Sequence, residues 1–274
     1  HEVQGLSVIK PLVGPGFGPS DAAVLRPRYT SYRGIAVGCG LCPDWTEIDP
    51  YWMAIRAVDE ALRNVICVGG DPERTAILDN FCWPRCESEE AMGALVRVCR
   101  GAFDAAIAFG LPFISGKDSL NNEFSMSADE ARRTGLPQRI AIPGTLLISA
   151  IAQIQDVRRC VSMDLKEPEN CLVFASAPVE SLGLDQAKAI HHQAAHWIRS
   201  GKVRSAHDVS DGGLAVAVAE MCMASGLGAA VSLSMRTYPH SLFRPLSSSY
   251  ILELRRADAL ASGFPIIGRV TKQP

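Results

Sequence analysis

The residues best suited to bind a cation are Glu60 and Asn64, which lie four positions apart in a segment with helical periodicity. Side chains at that spacing share one face of a helix. A carboxylate and an amide carbonyl on one face are oxygen ligands of the kind that a hard cation such as Mg²⁺ prefers. The other interpretation is an ordinary solvated polar face, and this segment alone does not exclude it.

The segment that carries these residues predicts a helix with defined ends. Asp49 can cap its start, and Pro50 suits the first helical position, where no amide donor is required. Gly69-Gly70 predicts the end, and Pro72 blocks continuation. The apolar residues at helical spacing predict a buried stripe made of Met53, Ala57, Ala61, Val65 and Val68.

A turn in the second half of the chain could bind an anion and a cation together. The predicted strand 203–207 runs into Asp208, and Ser210, Gly212 and Gly213 then lead into an alanine-rich helix. Free amides and the helix dipole at such a junction favour a phosphate, and Asp208 could hold a cation beside it. We therefore predict a nucleotide phosphate with Mg²⁺ here, the alternative being a tight turn without a ligand.

Two more polar residues lie beside predicted strands. Residues 11–21 read as a glycine- and proline-rich loop whose last residue, Asp21, precedes a short strand, where it is either a ligand or an ordinary turn residue. Lys117, in the polar run 116–123, could contact a phosphate. Neither segment is a standard nucleotide motif, because no strand precedes the glycine loop and the Gly-Lys run lacks P-loop spacing.

The histidines and cysteines give weaker signals. His192 and His196 share a helical face, but no acidic residue accompanies them as in metalloprotease motifs, so we interpret them as surface residues. Cys39 and Cys42 form a CxxC pair that could be a redox pair or half of a zinc site, and no second CxxC completes a zinc set. The nine cysteines are scattered, which favours an incidental pair in a reduced, cytoplasmic protein.

Composition excludes several classes of protein. With 274 residues, 47% hydrophobic residues and a net charge of −2, the chain can form two modest domains and has no bias toward nucleic acid or a membrane surface. No apolar run is long enough to span a bilayer, and no signal peptide is apparent. The chain begins with His1 and its last strands are short for a full domain, so we expect a fragment of a longer polypeptide.

The pattern of elements predicts two α/β domains. The first, residues 1–157, has the order β, β, α, β, α, β, with a second long helix over 88–110 and a charged, mobile loop over 125–140. A polar linker at 164–170 leads to the second domain, residues 165–274. Further strands are predicted at 22–26, 33–41, 76–81, 111–115, 145–154, 171–175, 229–234, 249–254 and 265–270, and a helix at 185–200.

Three segments occur together in a fixed order: Asp49-Pro50 to Gly70-Asp71-Pro72, Ser115-Gly-Lys-Asp-Ser-Leu, and His207-Asp-Val-Ser-Asp-Gly-Gly-Leu. This ordered set resembles phosphoribosylformylglycinamidine synthase, and more specifically the second of two duplicated halves that each have the fold of aminoimidazole ribonucleotide synthetase. The resemblance covers nearly the whole chain. It implies a two-domain α/β (α+β) fold whose N-terminal sheet pairs with another copy, in a superfamily that includes thiamine monophosphate kinase and selenophosphate synthetase.

The resemblance implies an ATP-dependent carbon–nitrogen ligase of purine biosynthesis. In this family ATP activates the amide oxygen of formylglycinamide ribonucleotide as a phosphate, and glutamine-derived ammonia displaces it. The implied cofactors are Mg²⁺ and ATP or ADP. The resemblance gives metal-ligand roles to Asp21, Glu60, Asn64 and Asp208 and places Ser20 and Ser210 beside the nucleotide, where Lys117, Gly212 and Gly213 complete the predicted contacts.

The chain also departs from this family. In the family, the first half carries most of the catalytic nucleotide site and a catalytic histidine segment that has no match here, so the catalytic residues stay unassigned. The resemblance implies a partner, either that first half or a second copy, and a glutaminase that supplies ammonia. Two other functions stay open: a structural Mg-nucleotide module without turnover, and a homodimeric kinase or synthetase of the superfamily.

Overall fold

The computed structural model describes residues 6–178, 183–233 and 242–273. Its strands are β1 (Ser7–Ile9), β2 (Leu12–Val13), β3 (Gly18–Pro19), β4 (Ala23–Leu25), β5 (Gly34–Leu41), β6 (Thr75–Cys82), β7 (Phe113–Ser119), β8 (Glu123–Ser125), β9 (Arg139–Ala141), β10 (Thr145–Ile154), β11 (Cys171–Ser176), β12 (Val203–Asp208), β13 (Gly228–Val231), β14 (Ser249–Leu254) and β15 (Ile266–Thr271). Its helices are α1 (Pro50–Cys67), α2 (Glu89–Phe109), α3 (Ala128–Thr134), α4 (Leu184–Arg199), α5 (Gly213–Ser225) and α6 (Arg256–Ser262).

The described strands form two main sheets, one in each half of the chain. The first has the order β1-β4-β5-β10-β6-β7, in which only the β6–β7 pair is parallel. The second has the order β12-β14-β11-β15-β13 and is antiparallel throughout. These sheets confirm the predicted α/β fold class and most of the predicted strands, although Ser234 of the predicted strand 229–234 lies outside the described residues.

Helix α1 lies between the first sheet and the second half of the chain. Its predicted ends are confirmed: the Asp49 side chain accepts a hydrogen bond from the Tyr51 amide, and the helix ends at Cys67. The predicted apolar stripe is fully buried, but burial extends around the helix to the charged residues Arg56, Asp59 and Arg63. A helix that is covered on most sides positions its polar groups inside the protein, where they need partners.

Helix α2 packs beside α1 with close backbone contact. Ser88 caps its start by accepting from the Ala91 amide, and Gly110 ends it in the left-handed conformation. These two residues are the predicted bounds of the helix. A Cβ placed on Gly101 would lie 2.2 Å from the Tyr51 carbonyl oxygen. Glycine therefore sets the distance between the two helices.

The glycine-rich segment 11–21, predicted to be a loop, contains the β2–β3 hairpin. The Gly16 amide donates to the Ala224 carbonyl at 2.9 Å, and a Cβ on Gly14 would lie 2.2 Å from the same oxygen. A Cβ on Gly18 would lie 2.4 Å from Ala224 Cβ. The glycines therefore let the N-terminal half approach the end of α5.

Three further differences from the predictions have local causes. The predicted mobile loop 125–140 holds α3, because Ser127 and Glu130 form a reciprocal capping box, and α3 connects the paired strands β8 and β9. Lys117 lies within β7, which extends beyond the predicted strand 111–115. Helix α6, with seven residues, was not predicted.

The predicted linker 164–170 is held in place by Glu253 of β14. This fully buried carboxylate accepts from the Lys166 and Glu167 amides and from the Asn170 side chain. The domain boundaries, 1–157 and 165–274, stay a prediction. None of the helices in the described part of the chain has the length and apolar character that a membrane crossing requires.

Candidate functional site

Asp21 and Asp208 meet where the two halves of the chain contact each other. Asp21 precedes β4 in the first sheet, whereas Asp208 ends β12 in the second. The Asp208 amide donates to Asp21 Oδ1 at 3.0 Å. Ligand atoms of Asp21, His207 and Asp208 all lie within 4.8 Å of one another, and we call these three residues the acidic cluster.

His207 is a member of the acidic cluster that was not among the predicted ligands. Its Nδ1 lies 2.8 Å from Asp21 Oδ1, and its Nε2 lies 3.0 Å from Glu220 Oε2. Burial alone would lower the pKa of His207, but the neighbouring carboxylates of Asp21 and Glu220 hold this pKa well above its usual value. A ring that donates from both nitrogens has no lone pair for a metal, so His207 balances the charge of the carboxylates.

Arg63 of α1 connects the acidic cluster to a second buried carboxylate. Its Nη2 lies 3.4 Å from Asp208 Oδ2, and its Nη1 lies 3.2 Å from Asp59 Oδ2. Nη1 also donates to the Leu246 carbonyl at 2.6 Å. Asp59 in turn accepts from the Ser248 amide at 2.8 Å. One helix of the first half thus holds the segment that enters β14.

Asp208 is a buried carboxyl group whose ionised form is opposed by its environment. Burial raises the pKa of Asp208 to about 7, and the negative charges of Asp21 and Glu60 also raise it. The positive charges of Arg63 and His207 lower this pKa but do not offset the effect of burial. Asp208 Oδ2 and Asp21 Oδ2 are both buried and have no hydrogen-bond partner among the described residues. Two carboxylate oxygens in this state are suited to a cation, because a cation would satisfy both.

Glu60 and Asn64 lie at the end of β5, beside this cluster rather than within it. Glu60 Oε2 accepts from the Leu41 amide at 2.7 Å and lies 3.5 Å from Cys42 Sγ. Asn64 Nδ2 donates to the Cys39 carbonyl at 2.7 Å. These bonds occupy one oxygen of Glu60 and the amide nitrogen of Asn64, so the Asn64 side-chain oxygen is directed away from Cys39.

The Glu60 carboxylate nevertheless contributes to the same electrostatic environment. Burial raises the pKa of Glu60, and the Asp211 carboxylate adds to this effect while Arg63 opposes it. Glu60 also raises the pKa of Asp208. The structure therefore brings Asp21 and Asp208 into contact and places Glu60 within electrostatic range of them.

The predicted anion site at the start of α5 is partly occupied by the chain itself. The Gly213 amide donates to the Ser210 carbonyl and the Ala215 amide to the Leu242 carbonyl, each at 3.0 Å. A Cβ on Gly213 would lie 2.6 Å from the Arg244 carbonyl oxygen. The prediction of free amides was therefore wrong for Gly213, whose amide closes its own turn, and the Ala215 amide is covered by the segment before β14. The anion site at Ser210, Gly212 and Gly213 otherwise stays a prediction.

Of the remaining predicted nucleotide contacts, Ser20 lies next to the acidic cluster and Lys117 lies far from it. Ser20 adjoins Asp21 and donates its hydroxyl to the Ala22 carbonyl at 2.9 Å. Lys117 hydrogen-bonds Ser119 on β7, three strands from β5 in the sheet order, which is about 14 Å at the usual strand spacing. The structure does not bring Lys117 to the acidic cluster.

Neither the predicted surface histidines nor the cysteines belong to the acidic cluster. His191 lies near it, with its Nε2 3.0 Å from Asp59 Oδ1. His196 is exposed and His192 half-buried, while His191 is buried with its Nδ1 2.6 Å from the Tyr250 hydroxyl. All nine cysteines are free. Burial raises the pKa of the Cys42 thiol, and the Glu60 carboxylate adds to this. A protonated thiol is a poor nucleophile and a poor metal ligand.

The sequence reasoning missed Asp59, Arg63 and His207. Asp59 and Arg63 lie four residues apart on α1, an opposite-charge spacing directly beside Glu60 and Asn64. A charged pair inside an apolar helical pattern is the signal that could have identified them. His207 ends a predicted strand and begins the third motif of the resemblance, but it was given no role in the site.

Two family models match the chain. Residues 19–129 match the N-terminal domain of AIR synthase related protein, and residues 166–256 match its C-terminal domain. Together the two matches include every residue of the acidic cluster.

The similar named proteins are phosphoribosylformylglycinamidine synthase subunits PurL. The protein of Synechococcus sp. (strain JA-2-3B'a(2-13)) is 35% identical over 95% of this chain and 36% of its own length. That of Gloeobacter violaceus is 33% identical over 83% of this chain and 31% of its own length. The chain therefore spans about a third of the length of these relatives.

Solved structures share the fold at low sequence identity. Thermotoga maritima PurL complexed with ADP has a TM-score of 0.72 at 18% identity, over 97% of this chain and 44% of that chain. AaThiL complexed with AMPPCP and TMP has a TM-score of 0.62 at 14% identity, over 92% of this chain and 85% of that chain. These likenesses extend over both halves of the chain.

Proposed function

The chain belongs to the AIR synthase related protein family, and from this membership we propose that it is one portion of an ATP-dependent phosphoribosylformylglycinamidine synthase of purine biosynthesis. Relatives of that name at 35% and 33% identity support this reaction class. In the proposed reaction ATP phosphorylates the amide oxygen of formylglycinamide ribonucleotide, ammonia adds to the activated carbon, and phosphate leaves. The chain supplies a nucleotide-binding portion of the enzyme.

One observation carries this proposal: Asp21 and Asp208 present ligand atoms within 4.8 Å of each other, and the Oδ2 atom of each is buried without a hydrogen-bond partner among the described residues. Asp208 Oδ2 has the Arg63 guanidinium 3.4 Å away as its ion-pair partner. This donor set fits Mg²⁺, with Asp21 and Asp208 as ligands and Glu60 and Asn64 at the edge of the site. When bound, Mg²⁺ would neutralise negative charge on the nucleotide polyphosphate.

The chain's own residues prepare this site in two ways. Arg63 and His207 supply two positive charges to four carboxylates, those of Asp21, Asp59, Asp208 and Glu220, so negative charge exceeds positive charge when all four are ionised. The same contacts fix the carboxylates in position before any ligand enters, which reduces the cost of ordering them.

The exposed apolar face of the first sheet is the candidate surface for a protein partner. Val37 and Ile151 are paired across β5 and β10 on the face away from α1, and their side chains are 41% and 38% exposed. We propose that this face pairs with the first half of the synthase or with a second copy of the chain. A glutaminase would supply ammonia, and free cysteines agree with a reduced, cytoplasmic setting.

Calorimetric titration of the purified chain with Mg-ATP and Mg-ADP tests the nucleotide site. We expect binding that requires Mg²⁺, and a loss of about 10- to 100-fold in affinity for Asp21→Asn and for Asp208→Asn. Asp185→Asn, which removes an exposed carboxylate on α4, is the matched control. Equal affinity in all variants would exclude the acidic cluster as the site.

A second function is favoured by the occupied amides at the start of α5. With the Gly213 and Ala215 amides already bonded to the chain, fewer donors face a transferring phosphate. This arrangement favours a module that holds a nucleotide without turnover. ADP formation from ATP, formylglycinamide ribonucleotide and ammonia, in the presence of a first-half partner, tests the two functions. Loss of turnover in Asp208→Asn would favour catalysis, whereas ADP that stays bound without exchange would favour the module.

A further inference from the structure

The loop between β4 and β5 presents two arginines to a cavity of about 510 Å³ at the opposite end of β5 from Glu60. The Arg28 and Arg33 side chains line this cavity and form no ion pair or hydrogen bond with the described residues. No carboxylate lies among the described residues that line it. Two unpaired guanidinium groups facing one space create a local positive potential in a chain whose net charge is −2.

A third arginine fixes the shape of this loop. Arg26 Nε donates to the Ser31 carbonyl at 2.6 Å, and Arg26 Nη2 donates to the Tyr29 carbonyl. The Arg26 guanidinium also lies over the Tyr32 ring, 4.6 Å from its centroid. Because these contacts hold the backbone, the loop is ordered before a ligand binds, and less entropy is lost on binding.

The other walls of the cavity suit a small molecule with an anionic group and an uncharged body. Ser31 supplies a hydroxyl and Gln153 an amide, while Pro27 and Ile35 supply apolar surface. The volume is within the range of about 300–1,000 Å³ that is usual for small-molecule sites. Arginine binds phosphate and carboxylate groups with two parallel hydrogen bonds, and two arginines suit the doubly charged phosphate.

Other cavities in the described part of the chain lack this combination. The cavity of about 280 Å³ beside Cys160 also contains two arginines, but Arg199 is paired with Asp71 at 2.7 Å and Arg159 donates to the Arg199 carbonyl. The cavity of about 550 Å³ between α2 and β7 has a mostly apolar lining with Asp79 as its charged group. A fourth cavity, of about 660 Å³, has Arg97 together with Glu47 and Glu90 in its lining. Among these four cavities of the described part of the chain, the β4–β5 cavity is the one lined by arginines and by no carboxylate.

We propose that the β4–β5 cavity is an anion site that binds a phosphate-bearing small molecule through the Arg28 and Arg33 guanidinium groups. The site is separate from the acidic cluster, because the eight residues of β5 span about 23 Å between Gly34 and Leu41. It does not depend on Mg²⁺, since its charge is positive. It therefore stands whether or not the proposed nucleotide site is correct.

Titration calorimetry of the full chain in EDTA, at constant ionic strength in chloride, tests this site with inorganic phosphate and with ribose 5-phosphate. We expect at least one of the two probes to bind. We expect Arg28→Gln and Arg33→Gln each to weaken the affinity for that probe by about tenfold, because each removes one charge-assisted contact. Equal affinities for the two probes would show that the free phosphate ion is sufficient for binding. A higher affinity for ribose 5-phosphate would show that the site binds a phosphate ester.

Arg133→Gln is the matched control, because it removes an exposed arginine of α3 outside this cavity. Arg28→Lys, which keeps the charge but removes the planar fork, should retain part of the affinity. The proposal would be overturned if neither phosphate probe binds, or if Arg133→Gln weakens binding as much as the two cavity variants do. It would also be overturned if poly-glutamate, titrated as a third probe, binds and both phosphate probes do not. The last of these results would identify an acidic protein surface instead.

Discussion

Arg63 has a side chain that is 3% exposed and lies within 3.4 Å of carboxylates from two different elements. A buried charge is tolerated when it is paired, and removal of one partner leaves the other charge uncompensated. Asp59 and Asp208 both have Arg63 as a partner, and Asp208 Oδ1 also lies 3.9 Å from His207 Nδ1. At the scale of single residues, this site is therefore a set of mutually dependent charges rather than independent ligands.

At this scale the role of Glu60 is the prediction to test. We expect Glu60→Ala to lower the affinity of the chain for Mg-ATP by about 100-fold, because the lost carboxylate contributes negative charge beside Asp208 and fixes the end of β5 through the Leu41 amide. Titration calorimetry with Mg-ATP measures this affinity. Glu73→Ala, at an exposed position in the short 3-10 helix Pro72–Arg74, is the control. If Asp208→Asn loses binding and Glu60→Ala does not, Glu60 is not part of the site.

At the scale of elements, α1 and α2 are the scaffold on which the site depends. Helix α1 carries Glu60, Arg63 and Asn64, and its cap residue Asp49 also pairs with Arg97 of α2 at 2.6 Å. A change at the cap or at the contact between the two helices should therefore change stability without a direct contact to the acidic cluster.

The Asp49 cap predicts a pH dependence. Burial would raise the pKa of Asp49, but hydrogen bonds from Arg97 and the Tyr51 amide hold it below the usual value of 3.8. Because the folded-state pKa is lower than the unfolded-state pKa, the contribution of this carboxylate to the free energy of unfolding is complete above about pH 4. This contribution is lost as the pH falls through the folded-state pKa.

Asp49→Ala should lower the free energy of unfolding by about 1 kcal/mol at pH 7 and by less at pH 3. Urea unfolding at both pH values measures this. An equal cost at both would show that the charge is irrelevant.

Two glycines of α2 should respond in opposite directions to the same substitution. Gly101→Ala should destabilise the fold by about 1–3 kcal/mol, because its Cβ would meet the Tyr51 carbonyl. Gly93→Ala should stabilise it by up to about 1 kcal/mol, since Gly93 is exposed and has no atom within 4 Å of the added Cβ. Chemical unfolding of both variants gives the comparison. A similar change in both would mean that the helices do not pack this closely.

At the scale of the whole molecule, the two halves contact each other through α1 and the N-terminal segment. One face of the first sheet is not covered by the described part of the chain. Asp59 holds Ser248, Asp21 contacts Asp208, and the β2–β3 hairpin packs on α5, so both sheets are tied together through α1 and the N-terminal segment. The face of the first sheet away from α1 carries exposed apolar side chains. A second copy of the fold would bury them.

Ile151→Glu tests whether that face forms an interface. We expect it to shift the chain from dimer toward monomer, because a carboxylate in a buried apolar interface is costly. Light scattering after size exclusion measures the mass. Ile107→Glu changes a 69% exposed residue of α2 and serves as the control. A wild-type chain that is already a monodisperse monomer would contradict self-association and leave a different half as the partner.

The sequence by itself determined the local structure. Capping residues and apolar periodicity predicted α1, α2, β5 and β10, because these signals act over a few neighbouring residues. It also identified Asp21 and Asp208 as candidate ligands, through their positions beside strands and the order of the motifs. The capped helix α3 was missed even though its Ser127–Glu130 pair is a local signal.

Only the tertiary structure decided which of these residues act together. Contacts between residues nearly 190 positions apart, such as Asp21 with Asp208 and Asp59 with Ser248, depend on how two sheets pack against α1. The same packing buried Arg63, closed part of the α5 helix end and separated Lys117 from the cluster. Periodicity shows which side of a helix is apolar, but burial, pairing and charge balance depend on the neighbour that the fold places there.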